Sequence, residues 1–307
     1  MSGVQRILTF EVGFNFTRYM QMTNGVMGVP SSIATPSASY DDFLQALVKI
    51  VRQQTEPIDG IAFSVPGFVN VDQQFATASG RLAPISHHRL GDDINAALGT
   101  SIPTWMENDA NCVAIAEKNR GNARKYDDFV VITITDTGMG GAIVIDGKLH
   151  RGRAWRAGEF GMIASNYETG GWKTLHEYTG MTSLATRYAE RFHVPADSVV
   201  PSSLLRRIDE PEIRPLVEDW AEYIAIAIFN VIAVMDPQCV LLGGLISQET
   251  DFIALIRQAL ERHPSWKDFR TPITRCRYAN VSAFYGAYDA FMAERGASIS
   301  GSDALAA

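Results

Sequence analysis

Glu107-Asn108-Asp109-Ala110-Asn111 is the segment of this chain whose residue types point most directly to chemistry. A carboxylate at the end of a strand can accept the proton of a sugar hydroxyl as that oxygen attacks a phosphorus. Asn108 can both donate to and accept from neighbouring hydroxyls. The same five residues also suit a plain strand exit in which Asp109 or Asn111 caps the next helix, so on these residues alone both readings stand. Thr135-Asp136-Thr137-Gly138-Met139-Gly140-Gly141 is a glycine turn between two β-rich runs. Such turns let backbone N–H groups converge on phosphate oxygens, and ordinary hairpins use glycine as well. Gly158-Glu159-Phe160-Gly161 sets a carboxylate between glycines, where it could orient hydroxyls at close backbone approach or form a surface turn. Gly243-Gly244 follows an apolar run and could let an adenosine lie against the backbone, or make a tight strand-to-helix turn.

The apolar pattern supplies the elements that would position these residues. Arg6–Val12 reads as a strand ended by Gly13, with Phe14–Met22 as its hairpin partner. Gly25–Ser39, rich in Gly, Pro and Ser, reads as loop or extended edge. Phe43, Leu44, Leu47, Ile50 and Val51 have helical spacing within Tyr40–Gln54, with Asp41 and Asp42 near its start. Ile58–Val65 is the next buried strand, closed by Pro66-Gly67; Leu90–Leu98 is a short helix. Pro103–Glu107 is the strand that delivers Asn108 and Asp109, and Cys112–Asn119 continues as helix. A second set opens with strands Phe129–Thr135 and Ala142–Ile145, then a hairpin signal at Asp146-Gly147. Helices follow over Ala185–Phe192 and Pro215–Met235, then strand Val240–Leu242, a helix near Asp251–His263 and a last helix near Ala283–Arg295. The small, polar tail Gly296–Ala307 reads as frayed. Strand–turn–strand–helix units thus occur twice, which predicts two α/β lobes with a cleft between them. Residues 1–107 would form the first lobe, with a C-terminal helix of about 284–307 packed back on it, and 108–283 the second.

Composition agrees with this class. The 307 residues are 46% hydrophobic and 20% charged, an ordinary globular balance long enough for two lobes. A net charge of −7 argues against a nucleic-acid surface. An acidic chain that binds phosphate must do so locally, through backbone N–H groups, a metal and a few cations. Cys112, Cys239 and Cys276 are far apart and odd in number, so no disulfide framework is expected and a reduced cytoplasmic location is. Met1–Arg6 shows no signal-peptide pattern. The most apolar stretch, Ile224–Met235, is too short to span a bilayer, which needs roughly 20 residues, so no membrane partner is expected.

The order of the motifs resembles the ROK family, which joins bacterial sugar kinases and related sugar-responsive repressors. Ser64-Val65-Pro66-Gly67, the segment Glu107–Asn111, Thr137-Gly138-Met139-Gly140-Gly141, Gly147-Lys148, Gly158–Gly161 and Asp236-Pro237 with Gly243-Gly244 match that family in order, over about Ile7 to Ala290. Glu107–Val113 and Arg156–Gly161 look most like the β-glucoside kinase branch. The resemblance implies a two-lobed actin-like ATPase (ribonuclease-H-like) fold, ATP and Mg²⁺, a sugar hydroxyl as acceptor, and a homodimer. It makes Asp109 the general base, with Asn108 and Glu159 holding the sugar and Gly67 and Gly80 lining it. It places Thr137, Gly138 and Gly140 near the phosphates and Gly243 and Gly244 near the adenosine.

The sequence also departs from the family pattern. The opening phosphate loop of the family reads Asp-x-Gly-Gly-Thr, and here it is Glu11-Val12-Gly13-Phe14-Asn15. Glu11, Gly13 and Asn15 remain the nucleotide-side candidates, with Glu11 the candidate Mg²⁺ ligand. Phe14 brings bulk where backbone should approach phosphate, and any positive φ would strain it. Asp136 replaces a glycine and sets a carboxylate beside the phosphate turn; a metal, or a side chain turned outward, would relieve the repulsion. Met162 stands where many members carry a zinc-binding His, and no cysteine lies between Cys112 and Cys239, so no zinc site is expected. His176 stands where many members have a sugar-binding Glu, which leaves His176 or Glu177 as sugar contacts or as helix-surface residues. Two readings of function follow. The first is an ATP-dependent sugar kinase acting on a hexose or β-glucoside. The second is a catalytically impaired sugar-binding or sensing protein with a degenerate phosphate loop. A DNA-binding repressor fits poorly, since the first strand starts by Ile7 and the charge is wrong.

Overall fold

The computed structural model describes residues 4–166, 172–249, 251–278 and 280–296; the tail beyond Gly296, expected to fray, lies outside the described residues. Of these, residues within 1–120, 152–156 and 281–307 form one compact unit and those within 121–151 and 157–280 the other.

In the first unit, β1 (Arg6–Val12) turns back into β2 (Phe16–Thr23), antiparallel and paired from Arg6 opposite Thr23 to Val12 opposite Thr17. β3 (Val26–Met27) and β4 (Ser31–Ala34) both pair with β2, so the Gly/Pro-rich stretch is largely extended edge. α1 (Tyr40–Arg52) starts at Ser39, whose hydroxyl accepts from the Asp42 N–H. Asp41 and Asp42 complement its positive end, and Phe43, Leu47 and Ile50 are buried. β5 (Gly60–Val65) lies parallel to β1, and β6 (Phe68–Asn70) pairs with β7 (Phe75–Thr77) in a small hairpin. After α2 (Leu90–Leu98), β8 (Thr104–Asn108) runs parallel to β5 and sets Asn108 opposite Val65. α3 (Asp109–Asn119) follows at once. The helix expected from Cys112 therefore begins three residues earlier, because Asn108 supplies the cap, a role expected of Asp109 or Asn111. Phe10, Phe43, Leu47, Ile61 and Phe63 are fully buried in the core.

In the second unit, β9 (Phe129–Ile134) pairs antiparallel with β10 (Met139–Ile145), which pairs with β11 (Lys148–Leu149). β12 (Ala164–Asn166) and β13 (Lys173–Thr174) form a separate pair. α4 (Leu175–Thr179), α5 (Met181–Phe192), α6 (Pro201–Arg206) and α7 (Arg214–Met235) follow. α7 ends at Asp236 in the left-handed region, just before Pro237. β14 (Cys239–Gly243) then runs parallel to β9, and beyond α8 (Phe252–Glu261) comes β15 (Ile273–Arg275), parallel to β14. Trp220, Ile224 and Ile228 of α7 are fully buried with Val240, Leu242 and Phe252. Among the described residues no helix is long and apolar enough to cross a membrane.

The two sheets share one pattern. Strand order β2-β1-β5-β8 in the first and β10-β9-β14-β15 in the second each begin with an antiparallel pair and continue with two parallel pairs. The last helix, α9 (Ser282–Glu294), belongs to the first unit and packs along α3. The division falls after Arg120, displaced from the expected 107/108, because α3 is bound to α9. Arg120 donates to the fully buried Asp289 carboxylate at 2.5 and 2.9 Å, and Asn119 donates to it at 3.2 Å. A buried carboxylate requires such a partner, and here the partner fixes the C-terminal end of α3.

Candidate active site

The chain places candidate residues in each unit. In the first, Asn108 ends β8 with extended backbone, and its Oδ1 accepts the N–H of Asn111 at 3.0 Å. Its Nδ2 donates to the carbonyl of Gly67 and to Asp109 Oδ1, both at 3.0 Å. Gly67 has φ 94°, where an added Cβ would stand 2.4 Å from the Thr77 carbonyl oxygen, so only glycine presents that carbonyl to Asn108. Asp109 Oδ1 also accepts the N–H of Ala110 at 2.8 Å. One carboxylate oxygen is thereby held by two donors, which orients the side chain. Burial raises the Asp109 pKa, and the bonds from Ala110 and Asn108 oppose that rise.

Glu107, two residues before Asp109, belongs to the same motif. Its side chain is wholly buried, and Oε1 accepts Asn111 Nδ2 at 2.8 Å and the Asn108 N–H at 3.1 Å. It braces the turn from beneath. A buried Glu at the last inward-facing position of a strand that ends in a polar cluster was the available signal.

Glu11 pairs with Arg18, its register partner across the β1–β2 hairpin. Burial raises the Glu11 carboxyl, the Arg18 guanidinium opposes this, and the Asp109 charge adds to the rise. The two carboxylates are therefore within electrostatic reach. Arg18 engages Glu11, and among the described residues no three or more His, Cys, Asp or Glu side chains gather as a metal cage; Mg²⁺ needs only one or two carboxylates beside substrate phosphates, which Glu11 and Asp109 could supply. The altered loop closes by Gly13 N–H donating to Phe16 O at 3.1 Å and Thr35 N–H donating to Asn15 O at 2.9 Å. Phe14 lies outside the left-handed region, and its ring packs on the core of the unit. Its bulk is spent inward, and the feared backbone strain does not arise. Gly80 opens a 3-10 turn with φ 57°, and Phe14 is its neighbour.

In the second unit the turn between β9 and β10 is closed by Thr135. Its N–H donates to Gly138 O at 2.8 Å, and its hydroxyl oxygen accepts from the Gly138 N–H at 3.2 Å. The start of α5 holds the turn from outside: Met181 N–H donates to Thr135 O at 3.1 Å and Thr182 N–H to Asp136 O at 2.8 Å. Asp136 is exposed, as are its neighbours Thr135 and Thr137. Gly140 lies on β10, with Thr133 of β9 opposite. Glu159 precedes the 3-10 turn Phe160–Met162.

His176 of α4 lies against the turn: a Cβ on Gly138 would come within 2.4 Å of its ring atoms Nδ1, Cγ and Cε1. A Cβ on Gly161 would stand 3.3 Å from the same Nδ1. Glu177 is directed elsewhere, accepting the Thr174 N–H at 2.7 Å in a capping box. Gly243 pairs with Thr133, and Gly244, at φ 87°, brings its backbone against Ile134, where a Cβ would be 2.0 Å from the carbonyl oxygen. The glycine pair thus abuts the strand that leads into the phosphate-type turn. A cavity of about 230 Å³ in the same unit is lined by Leu205, Arg206, Ile208, Glu249 and Phe252 among others. The first unit therefore assembles Asn108, Asp109, Gly67 and Glu11. The second assembles Thr137, Gly138, Gly161 beside Glu159, His176 and Gly244.

The profile of the ROK family matches residues 19–294. A beta-glucoside kinase of Listeria monocytogenes is 32% identical over 263 residues, covering 84% of this chain and 87% of that protein. An N-acetyl-D-glucosamine kinase of Histophilus somni is 29% identical over 256 residues, 75% of this chain and 80% of its own. Among solved structures, the Lmo2764 protein of Listeria monocytogenes superposes with a TM-score of 0.84 at 28% identity, over 95% of this chain and all of that one (100%).

Proposed function

We propose ATP-dependent sugar kinase activity for this chain, which belongs to the ROK family and has its actin-like ATPase fold. The acceptor class we infer is a hexose or β-glucoside, from the 32% identity to a beta-glucoside kinase over most of both chains. The observation that carries the reading is Asp109, a carboxylate with one oxygen fixed by Ala110 N–H and Asn108 Nδ2.

In the proposed reaction the sugar hydroxyl gives its proton to Asp109 as its oxygen forms a bond to the γ-phosphorus of ATP. The bond from that phosphorus to the bridging oxygen breaks, and ADP departs with the electron pair. Asn108 orients the acceptor hydroxyls, with Gly67 and Gly80 lining the sugar and Glu159 holding it. Of His176 and Glu177, we assign only His176 to the site, because Glu177 caps α4. Thr137, Gly138 and Gly140 offer backbone N–H groups to the phosphates, that of Gly138 by exchanging its bond to Thr135 Oγ1, and their partial positive charge is complementary to the triphosphate. Gly243 and Gly244 make room for the adenosine. Gly13 and Asn15 belong to the first-unit hairpin on the nucleotide side. No step is assigned to a Mg²⁺ held by Glu11. The reading of a catalytically impaired sugar sensor loses its main support, since Phe14 turns into the core and Asp136 is exposed. We further propose a cytoplasmic homodimer that binds neither nucleic acid nor membrane.

The test is Asp109→Asn. Loss of a general base costs about 10²–10⁴-fold in rate, so turnover should fall by that factor while calorimetry finds sugar affinity nearly unchanged. Turnover equal to the native protein would remove Asp109 from the mechanism.

A further inference from the structure

His176 does more in this fold than occupy a sugar-side position. Its ring is in contact with two glycines from different segments, Gly138 in the phosphate-type turn and Gly161 two residues after Glu159. Nδ1 lies 2.2 Å from a Cβ built on Gly138 and 3.3 Å from one built on Gly161, whose nearest neighbour is the Met139 carbonyl oxygen at 2.2 Å, one residue past Gly138. Real side-chain carbons do not approach that closely, so the imidazole fills the space that a residue other than glycine would need at 138. Neither glycine contact can loosen by a drift of the helix. Leu175 is fully buried and its N–H donates to Ile163 O at 2.9 Å. Thr179 is fully buried, its hydroxyl donates to Leu175 O at 2.7 Å, and its carbonyl accepts Trp220 Nε1 at 3.0 Å. The residue after α4, Gly180, lies against the Thr137–Gly138 peptide; a Cβ there would be 2.6 Å from Gly138 N. α4 thus touches the turn at both ends, and one of its contacts reaches the Glu159 segment as well.

We propose that His176 is a positioning residue that couples sugar binding at the Glu159 segment to the shape of the Thr137–Gly138 turn, so that sugar and nucleotide bind with positive cooperativity. This rests on the kinase reading, which assigns the two segments to sugar and phosphate. A sugar that draws the Glu159 segment inward moves Gly161, the rigid imidazole transmits the displacement, and the Gly138 N–H, which donates to Thr135 Oγ1 at 3.2 Å, exchanges that bond for one to phosphate. Interiors transmit strain in this way because they are close-packed and contain few voids, and linkage makes the coupling reciprocal.

The experiment is calorimetric titration of the full chain with a non-hydrolysable ATP analogue, alone and with saturating glucose or cellobiose, in the native protein and in His176→Ala. The expected native result is about 5-fold or more tighter nucleotide binding with sugar present. In the variant the ratio should fall to near 1, whatever change losing the imidazole makes to the affinity for each ligand alone. His176→Gln, which keeps side-chain length, serves if the alanine variant melts at the assay temperature, and is expected to lose the coupling in the same way. Gly138→Ala alone should weaken the analogue, and combining it with His176→Ala should restore its affinity without restoring the coupling. Both ligands binding with an unchanged ratio in the variants would overturn this inference alone. A native protein that binds neither sugar would bring down the kinase reading and this inference with it.

Discussion

At the residue scale, Asp109 sets what the fold prefers against what phosphoryl transfer needs. Its carboxyl pKa is raised by burial, so the folded chain holds a proton there more tightly than the unfolded chain does. By linkage, the stability supplied by that proton is present at low pH and is lost as pH rises from the ordinary aspartate value through the raised one. A general base must be ionised, so kcat/KM should fall on acidification along a one-proton limb lying above the ordinary aspartate range. Asp109→Asn, a neutral near-isostere, should melt at the same temperature as the native chain or higher at neutral pH. That difference should shrink toward about pH 4, where the native carboxyl is protonated. Calorimetric scans at several pH values check this; a lower melting temperature for the variant at neutral pH would show that the ionised carboxylate stabilises the fold. The residue type and motif were legible in the sequence. The cap was not: Asn108, Asp109 and Asn111 all have capping side chains, and only the backbone entering from β8 decides that Asn108 takes the role.

At the element scale, the β1–β2 hairpin shows how a loop can depart from its family pattern without forfeiting its geometry. Phe14 was expected to intrude where backbone meets phosphate, yet its ring packs on the core of the first unit. Which way a turn side chain points depends on three-dimensional neighbours such as Gly80, and nothing in local spacing records that. Phe14→Ala should therefore cost roughly 1–3 kcal/mol of stability, below the range for a fully buried Phe because the ring is only partly covered. Nucleotide affinity should change by less than about 3-fold, since about 0.6 kcal/mol is all that factor represents. Chemical denaturation and nucleotide titration separate the two effects, and a large change in nucleotide affinity with stability intact would place the ring at the phosphates. The same limit hid the role of His176. The family resemblance marks it as a sugar contact or a helix-surface residue, while its contact with Gly138 joins residues nearly forty positions apart.

At the scale of the whole molecule, the duplicated sheet pattern explains why one chain can divide the labour. Each sheet begins with an antiparallel hairpin whose turn carries the unit's glycine-containing loop, Gly13–Phe16 in the first and Thr135–Gly138 in the second. The sequence suggested two lobes through repeated strand–turn–strand–helix order, but the halves share too few residues to read the repeat directly. The return of the last helix to the first lobe was legible; the membership of α3 was not, because its union with α9 depends on Arg120 meeting Asp289 across 169 positions. With a net charge of −7, the proposed triphosphate binding would have to be local, and the oriented backbone N–H groups of the second turn are the proposed source.

The central claim, that this fold transfers a phosphoryl group to sugar, is tested most directly by phosphorus NMR of native protein incubated with Mg²⁺–ATP and a panel of hexoses and β-glucosides. The account predicts a sugar-phosphate resonance appearing in step with ADP for at least one acceptor. ATP that stays intact with every sugar, or that yields only inorganic phosphate, would contradict it.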